Sequence, residues 1–77
     1  MRVFLDAIVL FAAAYSASGA SREIIRRGIL GELNLFVSTL VIDEARRNLQ
    51  AKAPSAVSDL EILLEASAPD TVRPSEQ

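Results

Sequence analysis

Residues 1–21 read MRVFLDAIVLFAAAYSASGAS, and this apolar opening decides how the chain can fold. A secretory leader has a positive start such as Arg2, an apolar stretch such as 7–15 and small residues such as 17–20 before its cleavage site. The alternative is a buried strand followed by a helix. Asp6 favours the buried strand, because a carboxylate within a segment inserted into a membrane costs about 2.5–3.5 kcal/mol.

Length and composition indicate one small domain. With 77 residues, 51% of them hydrophobic and 23% charged, the chain has ordinary globular composition. The apolar run at 3–15 is shorter than the roughly 20 residues that a bilayer requires, so we expect no membrane span. We assign residues 1–67 to the domain. The stretch 68–77 contains two prolines and few apolar residues, which is typical of a linker or frayed tail, with a weak edge strand at 71–73 as the alternative.

The missing residue types exclude several chemistries. The chain has no cysteine and no histidine, so disulfides, thiolate zinc sites and Ser-His-Asp or Cys-His nucleophiles are excluded, and carboxylates remain as catalytic groups. Small secreted domains commonly rely on disulfides, so we expect a cytoplasmic protein. A net charge of −2 gives no general attraction to nucleic acid, and any binding of RNA must be local.

The first half of the chain predicts a strand and two helices. The unbroken apolar run at 3–5 is typical of a strand that is buried on both faces, and the alanine-rich stretch 7–15 favours a helix. Ser21 is then predicted to cap a second helix, which either Gly28 or Gly31 closes.

The second half repeats the order with one strand and two helices. At 33–37, Leu33, Leu35 and Val37 alternate with Asn34 and Phe36, and the β-branched and aromatic residues among them predict a strand. Ser38 or Thr39 is expected to cap the next helix. Helices follow at 39–53 and 54–67. The fold class is therefore α/β, with a short parallel sheet of two strands, or three if the tail contributes one, flanked by about four helices. Two strands alone are marginal, so we expect a homo-oligomer or a partner protein that covers the exposed strand edges.

Two carboxylates are the candidate catalytic and metal-binding groups. Asp6 is expected at the carboxyl end of the first strand, where open parallel sheets bind ligands. Glu44 is expected about one and a half turns into the helix after Ser38, half buried at the border of its apolar stripe. Oxygen donors of this kind suit Mg²⁺. Each has a plainer alternative: Asp6 caps the helix that begins after it, and Glu44 pairs with Arg47.

The basic residues are weaker candidates for a functional role than the two carboxylates. Arg22 and Arg46 are our candidates for contact with RNA phosphates, although arginines on helix faces are often only solvated. Residues 28–31, GILG, match a phosphate-clamping GxxG, but their place between a helix and a strand favours a helix-ending turn. No phosphate-binding loop or dinucleotide fingerprint occurs.

In this order, RVFLDAIVLF, SASGASREIIRRG and LNLFVSTLVIDEARRNL resemble the amino-terminal half of a PIN domain. This is the fold of VapC-type toxins of toxin–antitoxin systems and of other metal-dependent ribonucleases, and the resemblance covers roughly residues 2–66. It implies that Asp6 ends a central strand and that Asp6 and Glu44 match the first two metal-binding acids. It also implies Mg²⁺ or Mn²⁺ as cofactor and an RNA phosphodiester as substrate.

The chain departs from the family at two points. The family motif commonly runs Asp-x-Asn, whereas Ile8 stands in the asparagine position. The family's third and fourth acids lie in a later strand and helix, and neither Asp70 nor Glu76 can be matched to them; on the resemblance, a third strand begins within 69–74. We therefore expect a truncated PIN-like endoribonuclease, with or without activity. The alternative is a non-catalytic interaction module that dimerises or docks onto a complete PIN subunit.

Overall fold

A computed structural model describes residues 1–73 of the chain. Residues 74–77, and with them Glu76, lie outside the described residues. The elements in chain order are β1 (Arg2–Phe4), α1 (Ala7–Tyr15), α2 (Ala20–Ile29), β2 (Asn34–Ser38), α3 (Thr39–Lys52), a 3-10 turn (Pro54–Ala56), α4 (Val57–Ser67) and β3 (Asp70–Val72). The predicted α/β class with about four helices is confirmed.

Within the described residues, three strands form one parallel sheet in the order β1-β2-β3. The third strand, left open by the sequence, is present, so the sheet extends past the expected domain boundary at residue 67 into the segment read as a linker or frayed tail. The expectation that Asp6 ends a central strand is wrong for the described sheet, because β2 is central and β1 lies at an edge.

One face of the sheet carries the core. Leu35 and Val37 of β2 are buried on this face, and alternation places Phe36 on the opposite one. Both connections join neighbouring parallel strands and advance across the sheet in the same direction. The right-handed rule for such crossovers places both helical connections on one face. The helices therefore form a single layer, and the face bearing Phe36 has no helical cover within residues 1–73.

The apolar opening forms β1 and α1. Leu5 and Leu10 are buried, and α1 packs against α2, α3 and α4, which makes it the centre of the helical layer. Among the helices of residues 1–73, none combines the length and apolar character needed to cross a bilayer.

The ends of α2 differ in part from the prediction. Gly19, with φ of 112°, occupies the N-cap position instead of Ser21, which lies inside the helix. Gly28 is helical, and Gly31, with φ of 81°, closes the helix. The amide of Gly31 donates to the carbonyl of Gly28 over 3.1 Å, and the amide of Glu32 donates to that of Arg27 over 2.9 Å, which is a Schellman motif. The turn reading of GILG is thus the one found.

Exposed ion pairs link the polar surface of the helices. On α2, hydrogen bonds from Arg26 and then Arg27 lower the pKa of Glu23 to about 2. Arg46 joins two helices, because it pairs with Asp43 on its own helix and with Glu61 on α4. Such exposed pairs hold side chains in place but contribute little to the free energy of folding.

Replacing Gly28 by alanine tests how closely α2 approaches the sheet. An added Cβ would overlap the side chain of Leu35, with its Cγ only 2.7 Å away. Alanine is favoured over glycine in a helix by about 1 kcal/mol, but overpacking at a buried contact costs about 1–3 kcal/mol. We expect Gly28→Ala to lower the free energy of unfolding in urea. The same change in a Leu35→Ala background, where the overlap is gone, should be neutral or stabilising; equal effects in both backgrounds would contradict this packing.

Candidate functional site at the carboxyl edge of the sheet

The carboxyl ends of the parallel strands place Asp6 and Ser38 side by side. Phe4 pairs with Phe36 in the register, and Asp6 and Ser38 each follow two residues later. Ser38 is in turn paired with Val72 of β3. This row is the carboxyl edge, where α1 and α3 also begin.

Asp6 caps α1, as one of the two sequence readings predicts. Its Oδ1 accepts a hydrogen bond from the amide of Val9 over 2.9 Å. Ser38 does the same for α3, since its Oγ accepts from the amide of Val41 over 3.1 Å. Asp6 is exposed, and its second carboxylate oxygen has no hydrogen bond or ion pair within residues 1–73. Capping therefore leaves one charged oxygen open to another ligand.

Glu44 lies on α3 and is exposed, so the predicted half burial is not found. The alternative pairing with Arg47 is also not found: in the described part of the chain, Glu44 makes no ion pair. Six residues of helix place its Cα about 9 Å along the axis from Ser38. Helical side chains tilt toward the helix N-terminus, and the N-terminus of α3 lies at the carboxyl edge.

The acids at this edge do not make a complete metal cage. Within residues 1–73, no group of three or more acidic side chains is close enough to hold an ion. Carboxylate oxygens are nevertheless the donors that Mg²⁺ and Mn²⁺ prefer, and Mg²⁺ is often bound through one or two carboxylates and several waters. No cavity forms among these residues either, so the edge is an open surface.

The two arginines predicted to contact RNA have structural partners. Nε of Arg22 donates to the carbonyl of Ala13 over 2.8 Å, which ties α2 to the last turn of α1, at the opposite end of that helix from Asp6. Arg46 bonds Glu61 through two nitrogens, at 2.9 and 3.1 Å, and these bonds raise its pKa. Arg46 has less freedom to meet a phosphate than Arg22, whose terminal nitrogens make no hydrogen bond in residues 1–73.

Two apolar side chains beside the edge were not predicted. Ile8 and Leu40 occupy the second position of α1 and α3, and they are 77% and 61% exposed. The sequence feature that identifies them is their equal spacing from the two capping residues, because each lies two residues after its cap, Asp6 or Ser38. They give the carboxyl edge an apolar border.

The cap of α1 can be tested separately from any function. Asp6→Ala removes the acceptor for the amide of Val9 and should lower the free energy of unfolding by about 1 kcal/mol. Asp6→Asn keeps a good capping side chain and should change stability by only a few tenths of a kcal/mol. Urea unfolding followed by circular dichroism measures both. Equal losses in the two variants would show that the charge of Asp6, not its capping bond, stabilises the fold.

Comparison with protein-family models, with curated proteins and with solved structures finds no match to this chain.

Proposed function

We propose that this chain is a PIN-like unit that acts on RNA phosphodiesters with the help of Mg²⁺ or Mn²⁺. The observation that carries the proposal is the position of Asp6: it follows a parallel strand at the carboxyl edge, and one of its carboxylate oxygens is free in the described residues. Ligands of open parallel sheets collect at this edge. The resemblance of residues 2–66 to PIN domains supports the same assignment.

Asp6 and Glu44 are the residues that would hold the cation. Both are exposed acids, both belong to elements that start or end at the carboxyl edge, and neither has an ion pair in residues 1–73. When bound, a divalent cation there would activate water and neutralise charge on the phosphate. Asp6 keeps its orientation through the capping bond to Val9, which fixes one oxygen and presents the other.

Contact with RNA would be local, because the chain is acidic overall. Of the arginines proposed for it, Arg22 keeps guanidinium nitrogens that make no hydrogen bond within residues 1–73, whereas Arg46 would have to leave Glu61. A cytoplasmic location belongs to the same proposal and is supported by the absence of cysteine.

Cleavage of a fluorescent single-stranded RNA in Mn²⁺ tests the proposal. Asp6→Asn and Glu44→Gln remove a charge with little change in shape, and each should reduce the cleavage rate at least about tenfold, because the cation loses a charged ligand. Asp59→Asn is the matched control, since Asp59 is an exposed acid in the first turn of α4. Addition of a chelator should abolish cleavage. Wild-type rates in both Asp6→Asn and Glu44→Gln would rule out this site.

The second candidate is a non-catalytic interaction module. It is favoured by the uncovered sheet face, on which Phe4 is 70% exposed and stacks on Phe36 with ring centroids 5.2 Å apart. Parallel sheets are almost always covered on both faces, so a face of this kind is typical of an interface. The lack of a three-acid group within residues 1–73 points the same way.

Size-exclusion chromatography with light scattering tests the second candidate. We expect an apparent mass above the 8.3 kDa of the chain at micromolar concentration, because association would cover the exposed apolar face. A monomer at all concentrations, with no response to metal and no complex with a complete PIN subunit, would contradict the module proposal.

A further inference from the structure

The outer edge of β1 has unpaired backbone groups. Within residues 1–73, β1 pairs only with β2. The amide of Leu5 donates to the carbonyl of Phe36, and the amide of Asn34 donates to the carbonyl of Met1, both over 2.8 Å. Residues 1, 3 and 5 therefore direct their backbone groups toward β2. Because these directions alternate along a strand, residues 2 and 4 direct theirs outward, where another strand could pair. Beyond the end of β1, the carbonyl of Asp6 instead accepts from the amide of Leu10 in α1, over 3.1 Å.

The side chains of this edge carry opposite charges on either side of a central aromatic ring. Val3 and Leu5 pack into the core, so Arg2, Phe4 and Asp6 alternate away from it, and all three are exposed. Arg2 lies two residues before Phe4, and Asp6 lies two residues after it. If the strand direction is reversed about Phe4, the position of Asp6 therefore falls where that of Arg2 was, and the position of Arg2 where that of Asp6 was.

We propose that a second copy of this chain pairs with the free edge of β1 in antiparallel orientation, with Phe4 at the centre. In this register Phe4 faces Phe4 of the partner subunit, Arg2 faces Asp6 of the partner subunit, and Asp6 faces Arg2 of the partner subunit. The outward amide and carbonyl of Phe4 exchange two hydrogen bonds with those of the partner subunit's Phe4, as in a hydrogen-bonded antiparallel pair. The pairing is isologous, because both copies use the same edge, and the symmetric assembly is complete with two copies.

Charge selects this arrangement over its alternatives. A parallel pairing about Phe4 would place Arg2 beside Arg2 of the partner subunit, and like charges directly opposite each other are destabilising. If the antiparallel register slipped by two residues, Arg2 and Asp6 would no longer lie opposite an unlike charge. If it slipped by one, the outward backbone groups of one copy would lie opposite the inward groups of the other and could not form hydrogen bonds with them. Only the antiparallel pairing about Phe4 matches every charge.

The pairing would join two sheets into one of six strands, with the two β1 strands at its centre. It would also continue the stack of Phe4 on Phe36 into one aromatic row across the uncovered face. This inference rests on the interaction-module proposal and names a second copy as the partner, but it places the contact at the edge of β1, beside the uncovered face. Its test does not depend on RNA cleavage and is done in chelator, without metal or RNA.

Sedimentation velocity of the full chain over a range of concentrations measures the dimer dissociation constant. Phe4→Lys places two like charges face to face at the centre of the pairing and should raise this constant at least about tenfold. Ile62→Lys is the matched control, because Ile62 of α4 is a similarly exposed apolar residue, at 62% against 70% for Phe4. It should leave the dissociation constant within about twofold of the wild-type value.

A charge exchange identifies the register. Arg2→Asp and Asp6→Arg should each weaken the homodimer at least about tenfold, since each variant opposes like charges. An equimolar mixture of the two variants should restore dimerisation, because its heterodimer opposes unlike charges at both positions. Arg47→Asp on α3 and Asp59→Arg on α4, both at exposed positions, are the controls and should dimerise alone.

Three results would overturn the pairing: a wild-type chain that stays monomeric, equal dimerisation of Phe4→Lys and wild type, or no recovery when the folded charge variants are mixed. Circular dichroism verifies folding, and if Asp6→Arg fails to fold for loss of its cap, Phe4→Lys against Ile62→Lys decides. A wild-type dimer unaffected by Phe4→Lys would reject the β1 edge and leave the module proposal standing through another surface.

Discussion

Burial of one face of β2 is the constraint on which the rest of the structure depends. Leu35 and Val37 are 4% and 1% exposed, and the strand that carries them holds β1 on one side and β3 on the other. Full burial of side chains of this size contributes about 1.5–3 kcal/mol each, a large share of the stability of so small a domain. Their alternation fixes the register, since a slip of one residue would turn both to the uncovered face.

The same constraint creates the candidate site. Parallel pairing brings the carboxyl ends of β1 and β2 to one edge, and each chain segment must then turn into a helix whose first amides need acceptors. Asp6 and Ser38 supply them. The capping role and the proposed metal role of Asp6 are compatible because a carboxylate has two oxygens and the cap uses one. Ser38 has no charge to offer, so the proposed metal site takes its second acid, Glu44, from farther along α3.

The sequence predicts the elements whose signals are local. The alternation around Leu35 and Val37 indicated β2, and the alanine-rich run after Asp6 indicated α1. The Ser21 cap was wrong because the chain already turns at Gly19, whose positive φ starts the helix two residues earlier. The place of β3 is set by its pairing with β2 rather than by its own residues, since Asp70 and Thr71 are exposed and carry no apolar pattern.

The site was less predictable than the fold because its two acids are fixed by different kinds of information. Asp6 follows from local chemistry, as an acceptor directly after a strand and before a helix. Glu44 depends on the rotation of α3 about its axis, where Val41, Ala45 and Leu49 face the core. A residue on the border of that stripe becomes exposed or half buried after a small rotation of the helix, and residue spacing alone does not fix that rotation.

Asp6 finally links the two proposed functions through a single oxygen. With Oδ1 held by the amide of Val9, the other oxygen can meet either a divalent cation or the guanidinium of Arg2 of the partner subunit. Both ligands are positive, and both would occupy the outward side of the same carboxylate, so each excludes the other. A paired edge would therefore withdraw Asp6 from metal binding, and a bound cation would remove the charge match that selects the antiparallel register. If both proposals hold, catalysis and self-association would be alternative states of one side chain, and cation concentration and chain concentration would set the balance between them.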